Sequence, residues 1–153
     1  MHCLRPALAT ALLLATVACA SEPAGCAFRV VRGEPPEWAR TGFTPGAQIH
    51  YATSGRGDML ALIFGYPLFS PPAPDRSNKI LWRSRVPVEP GPLRIEARLN
   101  GTGAPERVTV GEGPGPSIVD LPRPGCWRLE LAWGSHTDSI DLEYVRPRDS
   151  VPG

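Results

Sequence analysis

One stretch near the end of the chain, Ser117–Trp133, limits the possible folds more than any other. It reads Ser-Ile-Val-Asp-Leu-Pro-Arg-Pro-Gly-Cys-Trp-Arg-Leu-Glu-Leu-Ala-Trp. A short apolar run is followed by a turn built on Pro122, Pro124 and Gly125, then by a run in which Trp127, Leu129, Leu131 and Trp133 alternate with polar or small residues. Alternation puts every second side chain on one face of an extended strand, whereas a helix would scatter the same residues around its circumference. The stretch therefore predicts two neighbouring strands with one buried face, and it carries Cys126 at the start of the second.

The same pattern recurs along the chain. Leu93, Ile95, Ala97 and Leu99 alternate with Arg94, Glu96 and Arg98, and Asn100-Gly101 ends that run in turn chemistry. Ile80, Trp82, Ser84 and Val86 oppose Arg83 and Arg85, and Ile140, Leu142 and Tyr144 form the last inward row. Met59–Phe64 is apolar on both faces, which predicts a central, fully buried strand, joined to Gln48–Ala52 across the glycine-containing segment Thr53–Asp58. Ala27–Val31, Arg107–Val110 and Ser117–Leu121 are further short strands. The four prolines of Pro67–Asp75 mark a loop or an edge crossing. Pro36 followed by Glu37-Trp38-Ala39 supports one helical turn, whose Trp38 is expected to plug one end of the core.

About nine short strands with turn signals between them predict an all-β fold, an antiparallel two-sheet sandwich that is immunoglobulin-like in the broad sense; a closed β-barrel is the alternative. The 19 prolines and 16 glycines fall between apolar runs, as strand-and-turn architecture requires. At 153 residues the chain holds one ordinary domain.

Residues 1–20 read as an export signal. Arg5 supplies the positive start, and Ala7–Ala18 is an apolar segment too short to span a bilayer. Ala18-Cys19-Ala20 fits small-residue cleavage before Ser21. Thr16-Val17-Ala18-Cys19 fits a lipoprotein signal in which Cys19 is lipidated and becomes the mature N-terminus, with Thr16 where that motif ordinarily has Leu. Residues 21–25 form a short tether, 26–146 the sandwich domain and 147–153 a disordered tail. Losing the signal removes Arg5 from the 16 basic residues and none of the 15 acidic ones, so the exported part is neutral. That balance argues against a nucleic-acid binder and against a polybasic membrane patch.

Of the 4 cysteines, Cys3 leaves with the signal and Cys19 is lipidated or removed, which leaves Cys26 and Cys126 as a pair. In an oxidising compartment the pair is expected to form a disulfide, closing a loop worth about 4 kcal/mol; two separate buried thiols are the alternative. Cys126-Trp127 contains the residue types that meet inside antibody domains. Neighbours in a strand point to opposite faces, however, so that arrangement does not transfer.

Pro36-Glu37-Trp38-Ala39, Phe64-Gly65-Tyr66-Pro67-Leu68, Asn78-Lys79-Ile80-Leu81-Trp82, and Pro116–Pro122 running into Pro124-Gly125-Cys126-Trp127-Arg128-Leu129 resemble a family of small exported actinobacterial proteins. The Gly-Cys-Trp block is the most specific part of that resemblance. It implies an exported location and a β fold; it implies no activity and brings no functional residues.

The residues that could carry chemistry are few. His50 and His136 are the histidines outside the signal, and His136, Asp138 and Asp141 are the nearest approach to a metal site, but the ligand count is short and a solvated turn and strand start account for them better. Ser54 or Ser70 could be drawn with His136 and Asp138 as a hydrolase triad, but no nucleophile elbow is present. Gly111–Gly115 lacks the Lys-Ser/Thr ending of a phosphate loop. Asp120 and Glu130 could be a carboxylate pair on facing strands, although solvent-facing or Arg-paired roles are the simpler expectation. Trp82, Trp127 and Trp133 fall on inward rows and are expected in the core; the competing role, stacking sugars, needs exposed coplanar rings. Arg83/Arg85 and Arg94/Arg98, with Glu96, are expected to lace a solvated face or to form a docking surface.

No catalytic, cofactor or metal residue is therefore expected. The sequence favours a non-enzymatic binding or accessory domain at the cell envelope, anchored to the outer face of the membrane at Cys19 or else secreted free. Its partner would be an envelope protein or polymer. An envelope-acting hydrolase and a structural subunit of an exported complex are the alternatives. The loops Arg56-Gly57-Asp58, Pro67–Asp75 and Gly111–Pro116 are the expected contact points.

Overall fold

The computed structural model describes residues 26, 27 and 29–147; the segments expected to be the export signal with Cys19, the tether and most of the tail lie outside the described residues. Ten strands are present among them: β1 (Val31–Gly33), β2 (Ile49–Thr53), β3 (Met59–Ile63), β4 (Leu68–Phe69), β5 (Lys79–Ser84), β6 (Leu93–Leu99), β7 (Glu106–Val110), β8 (Pro116–Ile118), β9 (Gly125–Trp133) and β10 (His136–Val145). They form two five-stranded sheets, ordered β1-β2-β3-β5-β8 and β4-β10-β9-β6-β7. Every pairing is antiparallel except that of β4 with β10. Two separate ladders facing one core make a sandwich and not a closed barrel.

The core follows the alternation. Ala52, Met59, Ala61, Ile63, Ile80 and Trp82 of the first sheet meet Ile95, Trp127, Leu129, Leu131, Trp133, Ile140, Leu142 and Tyr144 of the second in one buried cluster. Each large ring keeps its polar atom satisfied. Trp82 Nε1 donates to Ser117 Oγ (3.0 Å), Trp127 Nε1 to the Arg123 carbonyl (2.9 Å), Trp133 Nε1 to Ser84 Oγ (3.1 Å) and Tyr144 Oη to the Val119 carbonyl (2.8 Å). Burial, with the nearby Asp120 carboxylate, pushes the Tyr144 phenol far above its usual range. The three tryptophans are thus packing residues, as their inward rows predict.

Residues 34–47 are where the structure departs from the sequence reading. Glu37–Ala39 is a 3₁₀ turn, as the Pro36 signal predicts, but Trp38 does not plug an end of the sandwich. Together with Ala39 and Phe43 it lies on the outer face of the first sheet, against Leu60, Leu62, Ile49, Tyr51 and Leu81. This explains why β3 is buried on both faces: one face meets the second sheet and the other meets this excursion. Arg83 fastens the excursion through its guanidinium to the Thr41 carbonyl (2.9 Å), although its Nε is buried without a partner among the described residues. Trp38→Ala should therefore destabilise the fold by about 2 kcal/mol, roughly half the cost of a fully buried Trp, measurable as a shift in the urea midpoint. A loss below about 0.5 kcal/mol would show that the cover contributes little.

The first strand also differs. The sequence places it at Ala27–Val31, but pairing with β2 begins only at Val31, where it faces Tyr51. Cys26, ahead of this strand, is bonded to Cys126 across 100 residues of sequence. That disulfide suits an oxidising, extracytoplasmic environment. Among the described residues no helix is long and apolar enough to cross a membrane.

Candidate functional site

Residues 126, 128, 130 and 132 of β9 point away from the core, and strand register aligns them with outward residues on either side. Asp141, Arg128 and Arg98 share one row; Ser139, Glu130, Glu96 and Arg107 share the next; Thr137, Ala132, Arg94 and Thr109 share the third. The charges on this face are largely paired. Arg128 Nε meets Asp141 Oδ1 at 2.9 Å, Arg98 bridges Glu130 (2.6 Å) and Glu96 (2.9 Å), and Arg107 reaches Glu96 at 3.1 Å. Hydrogen bonds from Arg107 and Arg98 hold the Glu96 carboxyl below its usual pKa, and the bond to Glu96 raises Arg98 in turn. Asp141 raises Arg128 in the same way.

Beside this face stands the β2–β3 loop, and Asp138 clamps it. Asp138 is the one inward-facing residue of β10 that is charged, and its carboxylate accepts from Ser54 Oγ (2.5 Å), Arg56 N (3.0 Å), Asp58 N (3.3 Å) and Ser139 N (2.8 Å). Ser54 Oγ in turn accepts from Met59 N at 2.9 Å, and Gly55 N donates to the Ser139 carbonyl at 2.8 Å. Burial alone would raise the Asp138 pKa, but these four bonds outweigh it and the value lies below normal. The loop and the sheet enclose a groove of about 570 Å³ lined by Arg56, Arg94, Glu96, Glu130, Thr137 and Ser139, among others. Neither Arg56 nor Arg94 is in an ion pair among the described residues, whereas Arg98, Arg107 and Arg128 on the same face all are.

The structure distributes the other candidate residues over the molecule. Ser54 and Asp138 do come together, but Ser54 is buried and both side chains are spent on holding the loop. His136 turns toward Glu89 (3.5 Å) and packs on Trp133, and Asp141 belongs to Arg128, so His136, Asp138 and Asp141 do not converge. Ser70 is buried with its hydroxyl on the Leu121 carbonyl. Asp120 accepts from Asn78 Nδ2 near β4 while Glu130 lies on the charged face, so the carboxylate pair does not form. The Arg rows lie on the outer faces of different sheets: Arg85 pairs with Asp58, and Arg98 with Glu96.

The β9–β10 connection needs a glycine. The two-residue loop Gly134-Ser135 places Gly134 at φ 53°, and a Cβ there would lie 2.7 Å from Glu89 Cβ. Glu89 seals this turn by accepting from Ser135 Oγ and N, and the hydroxyl bond lowers its pKa.

Sequence reasoning does not reach two aromatic pairs, each joining a half-buried ring to an exposed one. His50 and Tyr66 stack with centroids 4.5 Å apart, and Phe43 and Phe64 at 6.3 Å. Nor does it reach the hollow of about 860 Å³ lined by Pro67, Phe69, Pro74, Arg76, Val145 and Arg146. The proline cluster of Pro67–Asp75 is the only signal that points there, and it also marks ordinary loops. No protein-family model, no curated protein and no solved structure matches this chain.

Proposed function

We propose that this protein is a non-enzymatic binding module of the cell envelope, anchored to the outer face of the membrane by lipid on Cys19, which captures an acidic protein segment or anionic polymer in the groove beside β9. The observation that carries the reading is that Arg56 and Arg94 have no ion pair among the described residues, on a face where Arg98, Arg107 and Arg128 are all matched with carboxylates. A planar guanidinium with free donors suits carboxylate or phosphate. The clamped loop supports the reading too, because a rigid loop loses little entropy when it binds. The export signal, the disulfide and the resemblance to small exported actinobacterial proteins support the location.

Titration with poly-L-glutamate and with polyphosphate at low salt tests the groove. At least one polymer should bind, and Arg94→Ala should weaken it about fivefold, the upper end for one ion pair at an exposed site. Binding that is absent for both polymers, or unchanged in Arg56→Ala/Arg94→Ala, sinks the groove as the site. Intact mass of the native protein from the membrane fraction tests the anchor: a chain beginning at Cys19 with added lipid mass is expected, and a supernatant chain beginning at Ser21 excludes it.

A further inference from the structure

The tether meets the sandwich at a defined place. Residues 20–25 separate Cys19 from Cys26, a connection that spans at most about 25 Å when fully extended. Cys26 is bonded to Cys126. Leu68, Tyr144 and Gly125 share a row across β4, β10 and β9, and Cys126 follows Gly125. With strands about 4.8 Å apart, the bridge lies about 10 Å from β4. Ala132, in the groove, is six residues further along β9, or about 20 Å away at the rise of an extended strand. In a domain held through Cys19 the β4 end is therefore about half as far from the point of attachment as the groove is.

The β4 end carries the side chains a lipid surface takes. Phe64 and Tyr66, in the connection leading into β4, are 37% and 39% exposed, and Ile118, beside Lys79 on the first sheet, is 57% exposed. Cations sit against these apolar groups. The Arg76 guanidinium lies 4.4 Å from the Phe69 ring centroid, and the ammonium of Lys79, the only lysine in the chain, lies 5.7 Å from that of Phe64. Arg146 follows Val145, the partner of Phe69, and lines the same hollow. Of the carboxylates here, Asp120 is held by Asn78, Asp75 lies on the rim beside Arg76, and the exposed Glu143 stands on the outer face of β10 opposite Cys126. Aromatic rings rest at the headgroup level, and Arg and Lys extend past them to the phosphates.

We infer that this end of the sandwich rests on the membrane, with Phe64 and Tyr66 among the headgroups and Arg76, Lys79 and Arg146 on anionic lipid phosphates. Lipid on Cys19 holds the domain near the surface, and the β4 end sets its orientation, so that the groove faces outward. The orientation rests on the reading of Cys19 as lipidated; the affinity of the β4 end for lipid does not.

The test uses the mature chain from Ser21, which carries neither signal nor lipid and retains every described strand. It is sedimented with vesicles of phosphatidylglycerol and phosphatidylcholine, and with phosphatidylcholine alone. Binding should require phosphatidylglycerol and fall about fivefold for each cation removed in Arg76→Ser and Lys79→Ser. Phe64→Ser should weaken it as well. Vesicle-independent sedimentation overturns the inference, as does concentration-dependent self-association that Phe64→Ser abolishes without any vesicle binding, which would make the patch an interface between copies. The anchor is judged separately: a native chain without lipid mass sinks the Cys19 reading and leaves the vesicle result standing, whereas a lipidated native chain whose Ser21 form ignores vesicles sinks the docking alone.

Discussion

Cys126→Ser should lower the unfolding free energy by about 4 kcal/mol, the value for a cross-link closing a loop of about this length. The bridge joins residues 100 apart and ties the N-terminal segment to the second sheet, while that segment's own strand, β1, is three residues long and pairs only with β2. A loop this long gives the cross-link a large effect on the freedom of the unfolded chain. Urea titrations of the wild type, of the reduced wild type and of Cys126→Ser should place the last two together. If the variant is much less stable than the reduced protein, Cys126 matters for its packing as well as for its bond. A loss below about 1 kcal/mol would mean that the unfolded chain is already compact enough for the cross-link to remove little freedom. Loss of the bridge should also let hydrogen exchange rise in Arg29–Gly33 before any other strand, since only β2 would then hold it.

Removing the clamp on the β2–β3 loop should be the second most damaging change. Asp138→Ala strips the partner from the Ser54 hydroxyl and from the backbone N–H groups of Arg56, Asp58 and Ser139. Leaving several donors unmatched, some of them buried, costs about 3 kcal/mol. Asp138→Asn keeps the shape but turns one acceptor into a donor facing other donors, so it should cost about 2 kcal/mol. The effect depends on pH in a definite sense. The folded pKa of Asp138 lies below its ordinary value, because the four hydrogen bonds overcome the opposing effect of burial. Its contribution is therefore complete above the unfolded value of about 4 and disappears as pH falls through the folded one. The stability gap between wild type and Asp138→Asn should stay constant from pH 7 to about 5 and close below about pH 4. A gap unchanged down to pH 2 would show that the carboxylate form is not what holds the loop. Because Arg56 N is one of the clamped groups, both variants should also weaken polymer capture in the groove.

How much was legible depended on how local the cause was. β6 falls at Leu93–Leu99, where the alternation predicts it, and the inward row of β9 is the one read from Trp127, Leu129, Leu131 and Trp133. These are statements about neighbours two residues apart, and a strand imposes that period on every residue it contains. β4 was not legible as a strand. It is two residues long, sits among prolines, and exists because β10 supplies a parallel partner far along the chain, at Tyr144 and Val145. The position of Trp38 was illegible for a similar reason: an aromatic in a lone helical turn does not reveal which surface it will cover. For the candidate site, the sequence marked Arg94, Glu96 and Arg98 as outward and Arg56 as part of a loop. It could not bring Arg56 to the face that carries Arg94, since that requires the Asp138 clamp, 84 residues from Ser54.

The sequence by itself determined the fold class, the turns and the cysteine pair, because side-chain alternation, turn chemistry and cysteine count act locally or by simple arithmetic. Only the tertiary structure decided which faces meet, which arginines find carboxylates among the described residues, and that the bridge and the exposed aromatics share one end while the groove lies toward the other. Those outcomes depend on register between strands distant in the chain, where moving one strand by one residue exchanges its inward and outward sides.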